Sequence, residues 1–333
     1  MQDINGLIAD LNKSYGGDKA IIKRANELPP LRTFPFNIPS MDLDLGGGAL
    51  WGRTTILAGA KGSGKTSSAY SLGGHANSIG IPVYWFDLEK AFDIERAKIF
   101  GMIPELTYVV RGELTAENIF QVVRDTIRYV KTLEDSRAIF IVDSMAGMVI
   151  EKLMEDAASS QFGGSARVIN QAVAVWQIIL GDNQILIEIN QLRDKLGGMG
   201  EPDMMPGGRG QEYWSSATIW TRAGETLKNG TTVTGQEMRW TIKKSRGSNP
   251  KEIGMIGYDY QTGFMREECL IAVAVEMEII QRTGAWYVLT DGKKVHGQAE
   301  LIAELKGYPE FMADLKEQVY SKMPIPEWNG LDV

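Results

Sequence analysis

The sequence contains very little cysteine and histidine. Cys269 is its one cysteine, and His75 and His296 are its two histidines. A single cysteine excludes an internal disulfide and a cysteine-cluster metal site, and two histidines are too few for a histidine-rich zinc site. The chain also lacks the roughly 20 consecutive apolar residues of a membrane-spanning helix, and its first residues lack the pattern of a secretory signal. These absences predict a soluble, cytoplasmic protein with no membrane partner.

Neither sign of charge is in large excess. Lys and Arg number 35 against 42 Asp and Glu, and the formal net charge of −7 argues against broad non-specific binding to nucleic acid. Residues 192–246 depart from this average, since nine basic and six acidic residues give them a local net charge of +3. This glycine-rich segment can form a local anion-binding surface, although a random fluctuation of composition explains the numbers equally well.

Composition and local patterns indicate three segments. Hydrophobic residues make up 44% and charged residues 23% of the 333 residues, which is typical of globular proteins and excludes a disordered chain or a fibrous rod. Apolar residues repeat with the helical period between Ile4 and Leu11, so we expect an amphipathic helix and a proline-rich linker over residues 1–33. An α/β core is expected over residues 34–268, and a small α+β lobe over residues 269–333.

Short apolar runs alternate with longer helical stretches through this predicted core. The runs are expected to be strands, at Thr54–Ala58, Val83–Phe86, Tyr108–Val110, Ile139–Val142, Ile185–Ile189, Ala217–Trp220 and Met238–Ile242. The helical stretches include Thr66–Ser78, Ala116–Leu133 and Arg167–Leu180. A strand buried on both faces is apolar at every position, as Ile139–Val142 is. The pattern therefore predicts a mostly parallel central sheet with helices on its faces.

A phosphate-binding loop follows the first predicted strand. Its residues fit the pattern G-x-x-x-x-G-K-[ST] and run, with the next helical residue, through Gly59, Ala60, Lys61, Gly62, Ser63, Gly64, Lys65, Thr66 and Ser67. The glycines let backbone N–H groups turn around the phosphates, and the N-terminus of the following helix adds partial positive charge. We expect Lys65 to reach the β- and γ-phosphates and the Thr66 hydroxyl to bind Mg²⁺. The motif predicts nucleotide binding.

Acidic residues follow two further predicted strands. Ile139–Val142 ends in Asp143, which is typical of a Walker B carboxylate that holds the Mg²⁺ shell, although a structural aspartate has the same pattern. Asp87 and Glu89 follow Val83–Phe86. Our hypothesis is that Glu89 orients the water that attacks the nucleotide and that Asp87 is structural. The alternative for Glu89 is an acid on the surface of a loop.

Two more strands end in polar residues whose function the pattern leaves open. Asn190 and Gln191 end one of them, and an amide there is either a sensor of the γ-phosphate or the cap of a strand. Lys244 and Arg246 belong to a cationic tip at the end of another. That tip is either a solvated surface or an arginine-finger-like group supplied to the nucleotide of a neighbouring copy.

Two segments interrupt the alternation of strands and helices. Ala157–Gly164 is small and polar, and residues 197–210 hold six glycines and two prolines. Long loops of this kind inside a compact domain are either functional or disordered.

In the order of these parts, the chain resembles the RecA family of ATP-dependent DNA strand-exchange proteins over almost its full length. The acid-rich Phe86–Asp93 is similar to the family segment that holds its catalytic glutamate. Thr283–Tyr287 resembles the C-terminal lobe of the bacterial branch. Other matching segments are Asn12–Gly16, Ile38–Gly48, Val142–Ser144 and Ile189–Gln191.

The resemblance implies a role for each residue at a matching position. It implies ATP and Mg²⁺ as cofactors, held by the phosphate loop with Asp143 as the Walker B residue, and adenine contacts by Asp93. For hydrolysis it implies Glu89 for water activation, Gln191 as the γ-phosphate sensor, and Lys244 and Arg246 as cations inserted into the neighbouring subunit's site. For DNA it implies two loops that include Gly163, Gly164, Arg167, Arg193, Lys195, Gly197, Gly198, Met199, Gly207, Gly208 and Arg209.

The sequence also departs from the family pattern. Arg96 stands where the family has a tyrosine that stacks on adenine, and a guanidinium can stack on a base as well. The second loop carries Met204–Pro206 where the family is rich in threonine. These departures indicate a divergent bacterial or phage member.

The function predicted first is a recombinase that forms a helical filament on single-stranded DNA and exchanges strands with homologous duplex DNA. The apolar stripe of the N-terminal helix fits a head-to-tail contact with the next subunit, and such contacts give open filaments when the rotation does not close. Two alternatives remain at this point. One is a hexameric helicase or other ring ATPase, and the other is a recombination mediator that binds nucleotide without exchanging strands.

Overall fold

The computed structural model describes residues 4–16, 21–28, 30–148, 164–192, 205, 210–247 and 253–323. They belong to two compact units. One comprises residues 1–32 with 326–333, and the other comprises residues 33–325. Within the described ranges, no helix is both long and apolar enough to cross a membrane.

The first unit contains the predicted N-terminal helix. Helix α1 spans Ile4–Tyr15 and is followed by a 3-10 turn at Ala25–Glu27. The Asn12 side chain fixes the chain after the helix, because its oxygen accepts the N–H groups of Ile21 and Ile22 at 2.8 and 2.7 Å. The helix has no buried residue, so its apolar stripe is exposed within this unit.

The second unit alternates strands and helices along most of its length. Its strands are β1 Thr33–Phe34, β2 Ala49–Leu50, β3 Arg53–Gly59, β4 Val83–Asp87, β5 Thr107–Val110, β6 Ala138–Asp143, β7 Gln184–Gln191, β8 Ala217–Asn229, β9 Thr232–Ser245, β10 Gly254–Asp259, β11 Gly263–Phe264, β12 Gln281–Thr283, β13 Trp286–Val288 and β14 Lys294–His296. Its helices are α2 Pro39–Asp44, α3 Lys65–Ser78, α4 Ile94–Ile99, α5 Ala116–Val130, α6 Gly164–Ile179, α7 Gly210–Trp214, α8 Arg266–Glu276, α9 Gln298–Lys306 and α10 Pro309–Lys322, with 3-10 turns at Pro104–Leu106 and Met145–Gly147.

A nine-stranded sheet with the order β11-β10-β9-β8-β3-β7-β6-β4-β5 forms the centre of this unit. The six strands from β8 to β5 are parallel, and β9, β10 and β11 continue the sheet in antiparallel fashion. The predicted α/β class with a mostly parallel sheet is therefore confirmed.

Hydrophobic clusters cover both faces of the sheet, and β6 shows why its sequence is apolar throughout. Ile139 and Ile141 pack into one cluster, and Phe140 and Val142 pack into the cluster on the opposite face. All four side chains are fully buried. Successive side chains of a strand alternate between faces, so only a strand covered on both sides needs an unbroken apolar run.

The predicted strands at Ala217–Trp220 and Met238–Ile242 are much longer in the structure, where β8 and β9 form an extended hairpin. Beyond Thr221, most residues of β8 are exposed. The apolar runs therefore mark only the buried part of each strand. The exposed part of each strand carries polar residues, so a search for continuous apolar runs does not predict it.

The C-terminal part packs against the core through polar and apolar contacts. The apolar run Leu270–Ile280 begins inside helix α8, which crosses the predicted domain boundary at residue 268. The Tyr320 hydroxyl donates to Asp42 Oδ2 at 2.8 Å, which ties α10 to α2. The division into three domains stays a prediction.

Candidate nucleotide-binding site

Residues from four neighbouring parallel strands meet at the carboxyl edge of the sheet. Gly59 at the end of β3 pairs with Gln191 at the end of β7, and Asp87 of β4 pairs with Asp143 of β6. Ligands of open α/β sheets bind outside the carboxyl ends of the strands. This register brings the phosphate loop, the Walker B candidate and the candidate sensor to one place.

The phosphate loop runs from the end of β3 to the start of α3 and requires glycine for two reasons. Gly64 has a φ of +92°, which side chains rarely adopt. A Cβ on Gly64 would lie 2.3 Å from the sulfur of Met238, and a Cβ on Gly59 would lie 2.3 Å from the carbonyl oxygen of Thr221. Close packing against β8 and β9 thus fixes the path of the loop. Its end places the N-terminus of α3 at the site.

Lys65 is the first residue of α3 and is nearly buried. Its Nζ donates to the carbonyl oxygen of Ala60 at 2.7 Å, which holds the ammonium over the loop. Burial lowers the pKa of Lys65, and the charges of Asp143 and Glu89 oppose this effect. The ammonium group is therefore placed between the phosphate loop and the acidic residues of the neighbouring strands.

Thr66 and Asp143 form a pair of oxygen donors beside the loop. The Thr66 hydroxyl donates to Asp143 Oδ2 at 3.2 Å. Burial and the charges of Glu89 and Asp87 raise the pKa of Asp143 to about 7, so the carboxylate lacks sufficient positive charge around it. Mg²⁺ at nucleotide sites takes one or two protein oxygens and completes its shell with phosphate oxygens and water. The hydroxyl of Thr66 and the carboxylate of Asp143 therefore fit a Mg²⁺ site.

Glu89 lies two residues beyond the end of β4, where two donors hold its carboxylate. The Gln191 side-chain amide donates to Glu89 Oε1 at 2.5 Å, and the Ser144 hydroxyl donates to the same oxygen. The structure thus brings the candidate catalytic acid into direct contact with the candidate γ-phosphate sensor. Their contact joins β4 to β7 across β6.

A cleft extends from the phosphate loop along α3 and α4, where a base would lie. Asp93 caps helix α4, since its Oδ1 accepts the N–H groups of Glu95 and Arg96. The Arg96 guanidinium donates to the carbonyl oxygen of Tyr260 at 2.6 Å and lies 5.3 Å from the centre of the Tyr258 ring. Asp93 and Arg96 both line the cleft, and their contacts with adenine stay a prediction.

Sequence reasoning missed the opposite wall of this cleft. The lining residues that it did not assign to the site are Tyr70, Ala91, Gln236, Met238, Tyr258 and Tyr260. Gln236 touches the phosphate loop itself, since its side-chain amide donates to the carbonyl oxygen of Gly62 at 2.7 Å. Gln236 and Met238 come from β9 and Tyr258 from β10, far along the chain. No motif spacing connects them to the loop, so only the pairing of the strands reveals them.

Lys244 and Arg246 are not brought to the phosphate loop of their own chain. Lys244 pairs with Thr218 of β8, whereas the loop lies beside Thr221, three residues further along that strand. The Lys244 ammonium donates to the carbonyl oxygens of Glu212 and Tyr213 in α7. Burial and the charge of Arg246 lower the pKa of Lys244.

Most candidate DNA-binding residues lie outside the described part of the chain. The described ones are Gly164 and Arg167, both in the first turn of α6 rather than in a loop, and Arg167 is exposed. Those outside it are Gly163, Arg193, Lys195, Gly197, Gly198, Met199, Gly207, Gly208 and Arg209.

Comparison with known proteins identifies the family. Residues 2–265 match the model of the RecA N-terminal domain, and residues 268–324 match that of the RecA C-terminal domain. The chain belongs to the RecA family. It is 29% identical to Protein RecA of Salinispora arenicola over 96% of this chain and 91% of the relative. Protein RecA of Clostridium botulinum is 28% identical over 98% of this chain and 91% of its own length.

RecA-family membership confirms the broad functional prediction. The protein is a DNA recombinase that acts in recombination and repair, and its family is one of nucleotide-binding ATPases that use ATP. The match of the C-terminal domain model favours this family over ring ATPases that share only the core.

Proposed function

We propose that this RecA-family protein is a DNA-dependent ATPase that forms a helical filament on single-stranded DNA and pairs it with homologous duplex DNA. The observation that carries the proposal is the meeting of Lys65, Thr66, Glu89, Asp143 and Gln191 at one edge of the sheet. Four of these residues supply parts that phosphoryl transfer to water requires: a cationic phosphate ligand, a Mg²⁺ site and an acid to orient water. Gln191 adds a reporter of the γ-phosphate.

ATP hydrolysis in this site depends on positioning and charge more than on covalent chemistry. Thr66 and Asp143 would hold Mg²⁺, which would neutralise charge on the phosphates when bound. The Lys65 ammonium binds the β- and γ-phosphates, and the Glu89 carboxylate orients the attacking water and accepts its proton. Because the Gln191 amide donates to Glu89, the orientation of the catalytic acid depends on the position of this amide.

Gln191 also provides the proposed link between ATP and DNA. It ends β7, and the chain continues directly into the glycine-rich segment that contains the second candidate DNA-binding loop. A γ-phosphate that draws the Gln191 amide away from Glu89 changes the start of this segment. The loops then hold the DNA backbone, so we expect little dependence on DNA sequence.

Two elements support the proposed assembly. Helix α1 has an exposed apolar stripe with Ile4 and Leu7 61% and 54% exposed, which suits docking on the next copy. Lys244 and Arg246 lie away from the phosphate loop of their own chain and are proposed to reach the γ-phosphate of a neighbour's ATP. For that, Lys244 must release the two carbonyl oxygens of α7 that it contacts.

The test is ATP hydrolysis with and without a single-stranded oligonucleotide, on the wild-type protein and on Glu89→Gln. We expect single-stranded DNA to stimulate the wild-type rate. Glu89→Gln should bind ATP and DNA but hydrolyse ATP roughly 10²–10⁴-fold more slowly, the contribution expected of a positioned acid. Equal rates with and without DNA, or normal hydrolysis by Glu89→Gln, would refute the proposal. Electron microscopy of the same samples separates a filament from a closed ring.

A further inference from the structure

The segment that carries Glu89 is tied at its base by a buried carboxylate. Asp87 ends β4 and is 2% exposed. Its Oδ1 accepts the N–H of Ala91 at 2.9 Å, and its Oδ2 accepts the N–H of Phe92 at 3.1 Å. Residues 88–92 therefore fold back on the strand end from which they leave. Glu89 lies inside this closed segment.

Arg111 binds both ends of the same segment from the neighbouring strand. It follows β5, which lies at the edge of the sheet beside β4. Its Nε and Nη2 donate to Asp87 Oδ2 at 2.8 and 2.5 Å, and Nη2 also donates to the carbonyl oxygen of Phe92 at 2.9 Å. One planar guanidinium thus connects the residue before the segment to the residue at its end. A lysine ammonium cannot reproduce this forked geometry.

Asp87 needs the positive charge of the Arg111 guanidinium because other acids surround it. Asp87 lies near two other acids of the site, since its charge contributes to the raised pKa of Asp143, as does that of Glu89. A buried carboxylate among other acids requires an opposite charge or several hydrogen bonds. Without Arg111, Asp87 would keep its backbone donors but lose its ion-pair partner.

The backbone conformation of residues 88–92 also depends on these contacts of Asp87 and Arg111. Lys90 has a φ of +55°, a left-handed conformation that a residue other than glycine keeps only when the surrounding structure enforces it. Lys90 directly follows Glu89. A loosened segment would relax at this residue and turn the Glu89 carboxylate away from Gln191 and Ser144.

We propose that Arg111 is a positioning residue for ATP hydrolysis, which fixes the direction of Glu89 through Asp87 and Phe92. The inference rests on the proposed role of Glu89 and extends it to a residue whose contacts are with Asp87 and Phe92. Arg111 does not line the cleft next to the phosphate loop. Its loss therefore lowers the rate of hydrolysis and leaves ATP binding unchanged.

The first test compares Arg111→Gln and Arg111→Lys with a matched control. Arg137→Gln removes an arginine that forms a similar forked pair with Asp135, 2.7 Å between Nη2 and Oδ2, at the opposite end of β6. We expect Arg111→Gln to lower kcat for DNA-stimulated hydrolysis roughly 10- to 100-fold, the range expected for a displaced catalytic group, with KM for ATP within about threefold of wild type.

Arg111→Lys is expected to recover part of kcat, because it keeps the charge but not the fork. Arg137→Gln is expected to keep the wild-type kcat. If kcat falls as far in Arg137→Gln as in Arg111→Gln, Arg111 contributes to folding in general and does not specifically position Glu89. This result would overturn the inference. So would a kcat within twofold of wild type for Arg111→Gln. Should Arg111→Gln fail to fold, as judged by thermal unfolding, the comparison is made with Arg111→Lys.

The second test asks whether Arg111 acts through Glu89. In a Glu89→Gln background there is no catalytic carboxylate to position, so adding Arg111→Gln should cause no further loss of kcat. A further loss equal to that in the wild-type background would contradict the inference while leaving the role of Glu89 intact. Normal hydrolysis by Glu89→Gln alone would overturn both.

Discussion

Glu188 is an acid in the middle of a buried strand, and replacing it tests the burial that the fold assigns to it. The residue lies in β7 between β3 and β6, paired with Ile56 and Val142. It is fully buried, and neither carboxylate oxygen has a hydrogen-bond partner among the residues that the structure describes. Burial raises the pKa of Glu188 from its ordinary value of 4.5 to about 8. The carboxyl group is therefore protonated and uncharged at neutral pH.

The sign of the pH effect follows from this raised pKa. The folded protein holds the proton more tightly than the unfolded chain, so Glu188 contributes stability below pH ~4.5 that is lost as the pH rises towards about 8. With these two pKa values, the loss between pH 5 and pH 7 is about 2.5 kcal/mol. The isosteric Glu188→Gln has no such proton to bind, so its free energy of unfolding lacks this dependence.

The assay is urea unfolding of wild type and Glu188→Gln at several values between pH 5 and pH 8. Because other titrating groups affect both proteins alike, the difference between their free energies of unfolding isolates Glu188. We expect Glu188→Gln to gain about 2.5 kcal/mol relative to wild type between pH 5 and pH 7. Glu105→Gln, at an exposed position, is the control and should show no such trend. A difference independent of pH would refute the reasoning.

Two predictions concern the nucleotide site. Gly64→Ala introduces a Cβ 2.3 Å from the Met238 sulfur at a φ of +92° and should weaken binding of a fluorescent ATP analogue at least tenfold. Gly80→Ala, with a similar φ but open space around it, should bind normally; equal affinities would contradict the prediction. Because the Asp143 pKa is raised to about 7, Mg²⁺-dependent ATP binding should strengthen as the pH rises from 6 to 8. Asp143→Asn should lack this increase, and a parallel increase in both proteins would contradict it.

Local signals in the sequence predicted the phosphate-binding half of the site. An apolar run followed by a glycine-rich turn or by an acid is recognisable from a few consecutive residues. The sequence therefore predicts Lys65, Asp143 and Glu89 as site residues. The parallel register then brings these strand ends together. Their meeting needed no information beyond the order of strands and helices.

The other half depends on contacts between distant parts of the chain. Tyr258 and Gln236 reach the cleft because β9 and β10 fold back along the sheet, which apolar runs alone did not indicate. Arg111 is a single arginine after an edge strand, and nothing in the sequence connects it with Asp87. Glu188 lies within a strand that is otherwise apolar, and its burial becomes evident only when both faces of β7 are seen to be covered.

We propose that each ATP is hydrolysed between two copies of the chain. Mixing Glu89→Gln with Lys244→Ala on single-stranded DNA tests it, because each variant lacks a different side of the composite site. A random filament of equal parts should regain about a quarter of the wild-type rate, since one interface in four pairs an intact Glu89 with a neighbour's intact Lys244. Glu89→Gln mixed with Asp143→Asn, two changes on the same side, should regain nothing. If the mixture of Glu89→Gln and Lys244→Ala hydrolyses ATP no faster than the mean of the two variants measured separately, the proposal is contradicted.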